Sequence, residues 1–212
     1  MKILVFAPHY DDEIVGPGGY LFKQIKKGNN IDVAFMSQIE DYRSEEVQPV
    51  LDFVGYEKVY HFNHQKPRFN IKTEDLIRKT LGAIRESTPS QVLIPHSGEG
   101  DPEHSLLHNV VMECSFVCEQ NYLLEENQKP HSIESILGYE VWTPISKPSL
   151  FVDISDTISK KDEAMKLYYT QDFKNFVKMY RGLNQYRGVQ SGKGKFVEAF
   201  EVYKFPERLL EE

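Results

Sequence analysis

The sequence predicts an α/β fold, with a mostly parallel sheet and helices on both of its faces. Two observations carry the prediction. KILVFAP (2–8) and IDVAFMS (31–37) are short continuous apolar runs, the pattern of strands buried on both faces. GGYLFKQIKKGNN between them reads as a helix closed by Gly28-Asn29-Asn30, so the segment is a βαβ unit, which pairs its strands in parallel. The alternation of apolar runs and helical patterns then continues as far as residue 121.

Each later element follows from its own pattern. SEEVQPVLDFVGY reads as a helix ending at Gly55, with Pro49 restricting it to the part beyond that residue. KVYHF (58–62) reads as a strand, and TEDLIRKTLGAIREST (73–88) as a helix capped by Thr73 and stopping before Pro89. QVLIPH (91–96) is the next strand and EHSLLHNVVMECSFVCEQN (103–121) the next helix. ILGYEVW and LFVDI read as strands, SKKDEAMKLYYTQ (159–171) as a helix capped by Ser159, and DFKNFVKMYRGLNQYRG as its helical continuation. Tyr168, Tyr169, Phe173, Phe176 and Tyr180 follow helical spacing and are expected in the core. KFVEAFEVYKF (195–205) alternates as a strand. No repeat or linker interrupts the pattern, so 1–212 is expected to be one domain.

Composition narrows the partners. The formal net charge is −7 and the basic residues are scattered, which argues against nucleic acid or an anionic membrane as partner. The N-terminal apolar run ends at Pro8-His9, short of the roughly 7–15 residues of a secretory core. No stretch approaches the ~20 apolar residues of a membrane span. Cys114 and Cys118 lie four apart in a helical pattern and read as buried thiols of a reducing compartment. The expectation is a cytoplasmic protein.

FAPHYDDEIVGPGG (6–19) sets His9, Asp11, Asp12 and Glu13 directly behind the first strand. Carboxylates so close repel one another unless the loop is solvated or something positive sits among them. In open parallel sheets, ligands bind beyond the carboxyl ends of the strands. An imidazole and a carboxylate are good zinc ligands, and a catalytic zinc commonly takes three protein ligands plus water. The third is sought in GEGDPEHSLLH (98–108), which also follows a strand and opens a helix, with His104 and His108 on one helical face. The glycines at 16–19 lack the G-x-G-x-x-G spacing of a dinucleotide site.

P-H-Y-D-D-E at 8–13, G-P-G-G at 16–19 and D-P-E-H at 101–104, with YEVWTP (139–144), FVDIS (151–155) and FVEAFEV (196–202) in order, closely resemble the zinc-dependent N-deacetylases of the PIG-L/LmbE-like family. The resemblance implies a Rossmann-like sheet and hydrolysis of an N-acetyl group on an N-acetylglucosamine-type sugar, glycoside or nucleotide conjugate. It assigns His9, Asp12 and His104 as ligands of Zn2+, with Fe2+ as the other ion that serves, and Asp11 as general base. Glu13 is expected to fix the loop. It implies a small-molecule amino-sugar substrate and assembly as a trimer or hexamer. Arg43 matches the arginine near the sugar, while Lys66 and Arg68 stand where an acidic substrate contact is expected and suit an anionic substrate.

Two positions depart from the family. Tyr10 replaces a proline and is expected to point its phenol into the site mouth. Asp101 stands where a histidine helps to stabilise the oxyanion, and an ionised aspartate donates no hydrogen bond. Losing such a donor costs about 10²–10³ in rate. Either His96, His108 or His64 substitutes, or Asp101 is protonated, or turnover is slow. His108 and Asp101 are carried forward as substrate-site residues. The alternative reading is a zinc-containing sugar-binding protein on the same fold, with weak or no turnover.

Overall fold

The computed structural model describes residues 1–206, without the side chains of Arg68 and Asp172; positions 207–212 of the expected domain lie outside the described residues. The chain runs β1 (Lys2–Ala7), α1 (Asp12–Val15), α2 (Gly18–Lys26), β2 (Asn30–Ser37), α3 (Ser44–Val54), β3 (Lys58–His64) and α4 (Thr73–Ser87). It continues through β4 (Gln91–Pro95), α5 (Pro102–Val117), β5 (Ser135–Tyr139), β6 (Leu150–Asp153), α6 (Ile158–Leu167), α7 (Phe176–Ser191) and β7 (Val197–Lys204).

The strands form one sheet in the order β3-β2-β1-β4-β5-β7-β6. The first five are parallel, and β7 runs antiparallel to both neighbours. β1 is central, and its alternation divides the core. Ile3, Val5 and Ala7 face α2, α3, α6 and α7, whereas Leu4 and Phe6 face α4 and α5. All five are fully buried, each large aliphatic contributing about 1.5–3 kcal/mol. The chain builds outward from β1 through β2 to β3, then returns to lay β4 on β1's other side. The switch point, where ligands bind in such sheets, therefore lies between the carboxyl ends of β1 and β4.

Several local expectations are corrected. α3 runs unbroken from Ser44 through Pro49. Pro49 and Glu45 lie on the exposed side, so the carbonyl that Pro49 leaves unbonded faces solvent, while Val47, Val50 and Val54 anchor the other side. Gly55 ends that helix in the left-handed region (φ 75°), which glycine adopts without a Cβ penalty. Thr73 is the first helical residue rather than a side-chain cap, and α6 starts after Thr157 instead of Ser159. The helical run expected beyond 168 is split: Tyr169–Lys174 is a 3-10 turn, and Asn175 takes a left-handed conformation before α7. Tyr168, Phe176 and Tyr180 are buried as expected, but the turn carries Tyr169 and Phe173 out to 56% and 76% exposure.

Candidate metal centre

Two loops meet at the switch point. The first leaves β1 at Pro8 and turns through Asp11, whose backbone (φ 133°) is a conformation that side-chain-bearing residues rarely adopt. The Asp11 carbonyl accepts from the Ile14 and Val15 amides, opening α1. The Asp11 amide donates to Glu13 Oε2 at 3.0 Å, and Tyr168 donates to Glu13 Oε1 at 2.8 Å. Glu13 thus fixes the loop. The second loop follows β4 and ends at Asp101, whose carboxylate caps α5 by accepting from the Glu103 (2.7 Å) and His104 (3.4 Å) amides.

These loops bring His9, Asp12 and His104 together. His9 Nδ1 lies 3.1 Å from Asp12 Oδ2, His104 Nε2 lies 3.2 Å from the same oxygen, and the two nitrogens are 3.4 Å apart. A tetrahedral zinc with bonds of about 2.0–2.1 Å separates its ligand atoms by roughly 3.3 Å. The triangle is therefore one face of such a tetrahedron, and two nitrogens and one oxygen suit a divalent metal of this kind. The far side of each ring agrees. His9 Nε2 lies 2.5 Å from Glu103 Oε2, and His104 Nδ1 faces Glu99 Oε2 at 3.5 Å. Carboxylates there hold the proton away from the ligating nitrogen.

The crowded acids are not equivalent. Burial opposes ionisation of Asp12, but His104 and His9 outweigh it and hold its carboxyl far below the usual range. Burial, then Asp12, push Asp11 up to about 7, with Arg43 opposing. Burial pushes Glu13 up to about 8. The imidazoles respond in kind: burial disfavours their charge, yet Asp12 and Glu103 bring His9 to about 9, while Asp12 and Glu99 bring His104 to about 10. Cationic partners and protonation thus relieve the repulsion implied by the sequence: Arg43 is one positive group, and in the metal-free protein His9 and His104 are the others.

Arg43 is buried beside this cluster. Its Nε donates to Glu46 at 2.6 Å, and its Nη2 donates to Tyr10 O at 2.5 Å and Asp11 Oδ2 at 3.2 Å. Much of its fork is thus committed to holding Asp11, while the residue still lines the cleft. That cleft, about 890 Å³, is lined by His9, Asp11 and Asp12 and also takes in Asp101.

Other expected residues fall elsewhere. His108 does not line the cleft: Nδ1 donates to Pro95 O at 2.8 Å, and the ring packs edge-on to Tyr203. One helical turn beyond His104, it is carried along α5 away from the ligands. His96 is occupied by Thr143 O and the Gly98 amide, and His64 lies 3.7 Å from Asp75. None of these three lines the cleft. Tyr10 turns its phenol away from the mouth, stacking on Phe35 and bonding His61 Nδ1 at 2.8 Å. The Arg68 side chain lies outside the described residues.

Glu103, Glu99, Trp142 and Lys174 were not anticipated. Adjacency to a ligand in the first turn of a helix was a usable signal for Glu103. Glu99 accepts from the Val141, Trp142 and Thr143 amides, a role no local pattern announces.

Fold and site together define an α/β protein with a two-histidine, one-aspartate metal-ligand set at the sheet's switch point. Residues 4–115, more than half of the chain, match the family described as PIG-L: GlcNAc-PI de-N-acetylase. The chain belongs to that family. It is 26% identical over 193 residues to diacetylchitobiose deacetylase of Thermococcus kodakarensis, covering 80% of this chain and 70% of that protein. Among solved structures, N,N'-diacetylchitobiose deacetylase from Pyrococcus horikoshii superposes with a TM-score of 0.78 at 20% identity, over 99% of this chain and 85% of that one. The 4-carboxy-2-hydroxymuconate hydratase GalB from Pseudomonas putida KT2440 superposes with a TM-score of 0.80 at 16% identity, over 97% and 96%. The fold is thus shared by deacetylases and a hydratase. No helix among the described residues is long and apolar enough to cross a membrane.

Proposed function

We propose that this chain is a zinc-dependent hydrolase that removes the N-acetyl group from an N-acetylglucosamine-type sugar or its conjugate, with residues 1–212 as one catalytic domain. The observation that carries the reading is the ligand triangle of His9, Asp12 and His104, of which His9 and Asp12 line the cleft together with Asp11. Zinc, or iron(II) in its place, supplies a Lewis acid for the amide carbonyl and an acidified water. Asp11 would take a proton from the water whose oxygen adds to the amide carbonyl carbon, and would deliver it to the amine nitrogen as the C–N bond breaks and acetate leaves. Arg43 positions Asp11, and Glu103 and Glu99 orient the two imidazoles. Asp101 has its carboxylate engaged as a helix cap, so it contributes an acceptor toward sugar hydroxyls and no donor toward an oxyanion.

The rival reading, a sugar-binding protein without efficient turnover, rests on that missing donor; the deacetylase relative weighs against it. The buried, unpaired thiols of Cys114 and Cys118 support a cytoplasmic setting. Assembly as a trimer or hexamer belongs to the same reading and is checked by light scattering.

The test is acetate release from a panel of N-acetylated sugars, glycosides and sugar nucleotides by zinc-loaded protein. Activity should disappear on chelation and return with zinc, and Asp11→Asn should lower kcat by about 10²-fold or more. Wild-type turnover that survives both chelation and Asp11→Asn would overturn the mechanism.

A further inference from the structure

YYTQ (168–171) follows α6 and takes no part in the chemistry above. Its composition continues a helix, yet the helix ends at Leu167 and Tyr169–Lys174 is a 3-10 turn. The first amides of a helical turn have no partner within it, and here the Thr170 amide reaches outward. It donates to Glu46 Oε2 at 2.9 Å, and the Thr170 hydroxyl donates to Glu46 Oε1 at 2.8 Å. Gln171 Nε2 donates to that hydroxyl at 3.0 Å, which commits the hydroxyl proton to Glu46.

Glu46 Oε1 also accepts from Arg43 Nε at 2.6 Å, and Arg43 Nη2 donates to Asp11 Oδ2 at 3.2 Å. Hydrogen bonds thus run without a gap from Gln171 through Thr170, Glu46 and Arg43 to the Asp11 carboxylate. Tyr168 serves the other end of the same residue: it donates to Glu13, which accepts from the Asp11 amide. One short stretch therefore holds both the backbone and the carboxylate of Asp11.

Asp11, Arg43, Glu46 and Gln171 are all at most 4% exposed. A buried carboxylate and guanidinium keep their places when their remaining polar atoms are satisfied, and Thr170 gives Glu46 two such bonds. Gln171 Oε1 is buried with no partner among the described residues, so this side chain costs more than an apolar one filling the same space.

Building on the deacetylase reading, we propose that Glu46 and Thr170, oriented by Gln171, are positioning residues that hold the Arg43 guanidinium where it fixes the Asp11 carboxylate. None of the three lines the cleft, so they act through Arg43 and not on substrate.

The experiment compares metal-loaded wild type with Thr170→Val, which keeps the shape and loses the hydroxyl, and Thr170→Ser, which keeps the hydroxyl. In acetate release, Thr170→Val should lower kcat about tenfold with KM within about twofold of wild type. Thr170→Ser should stay within about threefold of wild type, and Glu46→Gln should lose about 10²-fold in kcat. In an Asp11→Asn background Thr170→Val should add nothing, because its effect passes through Asp11. A loss that appears in KM, equal losses in Val and Ser, or a full loss that persists beside Asp11→Asn would overturn the positioning role. Amide hydrogen exchange supplies a readout that needs no turnover. The Ile14 and Val15 amides donate to the Asp11 carbonyl and should exchange about tenfold faster in Thr170→Val but not in Thr170→Ser. That exchange pattern without acetate release from wild type would sink the deacetylase reading and keep the positioning of Asp11. Acetate release with unchanged kcat and exchange in Thr170→Val would do the reverse.

Discussion

Loops 8–11 and 96–101 leave neighbouring parallel strands at the same edge of the sheet, yet they are held by different means. In the first, Asp11 sits at φ 133°, a strain of about 1–3 kcal/mol, and the restraints come from far along the chain. Arg43 grips Tyr10 and Asp11, and Tyr168 grips Glu13. Lys161 and Glu198, both buried, hold the following glycine turn: Lys161 donates to Gly16 O, and Glu198 accepts from the Gly19 and Tyr20 amides. In the second loop, Asp101 takes an ordinary extended conformation and caps its own helix. Glu99 and His96 bind the chain leaving β5. The loop leading into α1 is held by a buried arginine and a buried ion pair, and the loop leading into α5 is held by its own helix cap and by bonds to the chain leaving β5.

Removing a distant support should produce the largest effect. Lys161→Ala strands the Glu198 carboxylate in the interior, and unfolding in denaturant should show a loss of about 3–5 kcal/mol. Lys161→Met with Glu198→Gln should recover part of that loss, since no unpaired charge remains. A Lys161→Ala protein as stable as wild type would show that the glycine turn does not need the pair.

The helix cap of the second loop should respond less. Asp101→Ala removes a cap and should cost about 1 kcal/mol by the same measurement, whereas Asp101→Asn keeps the acceptor and should cost only a few tenths. Equal losses for Asn and Ala would mean that the charge of Asp101 matters more than its capping bonds.

The smallest effect should come from pH, through His108 under the second loop. Burial lowers its pKa below the ordinary 6.5, against the favourable bond to Pro95 O. The folded protein therefore binds this proton less readily than the unfolded chain. Stability from this group is fully present above about pH 6.5 and is lost as the pH falls through the depressed folded value. Buried His64, also lowered by burial, acts in the same direction. His108→Gln should flatten the acid side of a stability profile measured from pH 7.5 to 5; an unchanged slope would remove His108 as a contributor.

Much of this arrangement was legible in the residues themselves. The apolar runs located β1, β2 and β4, and put the loop of His9 and Asp12 and the segment 98–108 each beyond a strand end, so that they share one sheet edge once β1 and β4 are neighbours. Those inferences needed only periodicity and the rule that parallel sheets bind at their carboxyl ends. The failures share a cause. Thr73 and Ser159 have the composition of caps, but packing set the helix starts one residue and two residues away. Phe173 has helical spacing, but Asn175 interrupts the helix. His108 shares a helical face with His104, yet one turn of rise takes it to Pro95 and Tyr203.

The sequence alone determined most of the element types and offered His9, Asp12 and His104 as donor residues, because periodicity and donor chemistry are read within a few residues. Only the tertiary structure decided that Arg43 restrains Asp11, that Glu99 stands behind His104, and that Lys66, Lys174 and Trp142 share one cleft. Such contacts join segments far apart in the chain. Sheet order and helix packing set their distances, which spacing along one chain does not constrain.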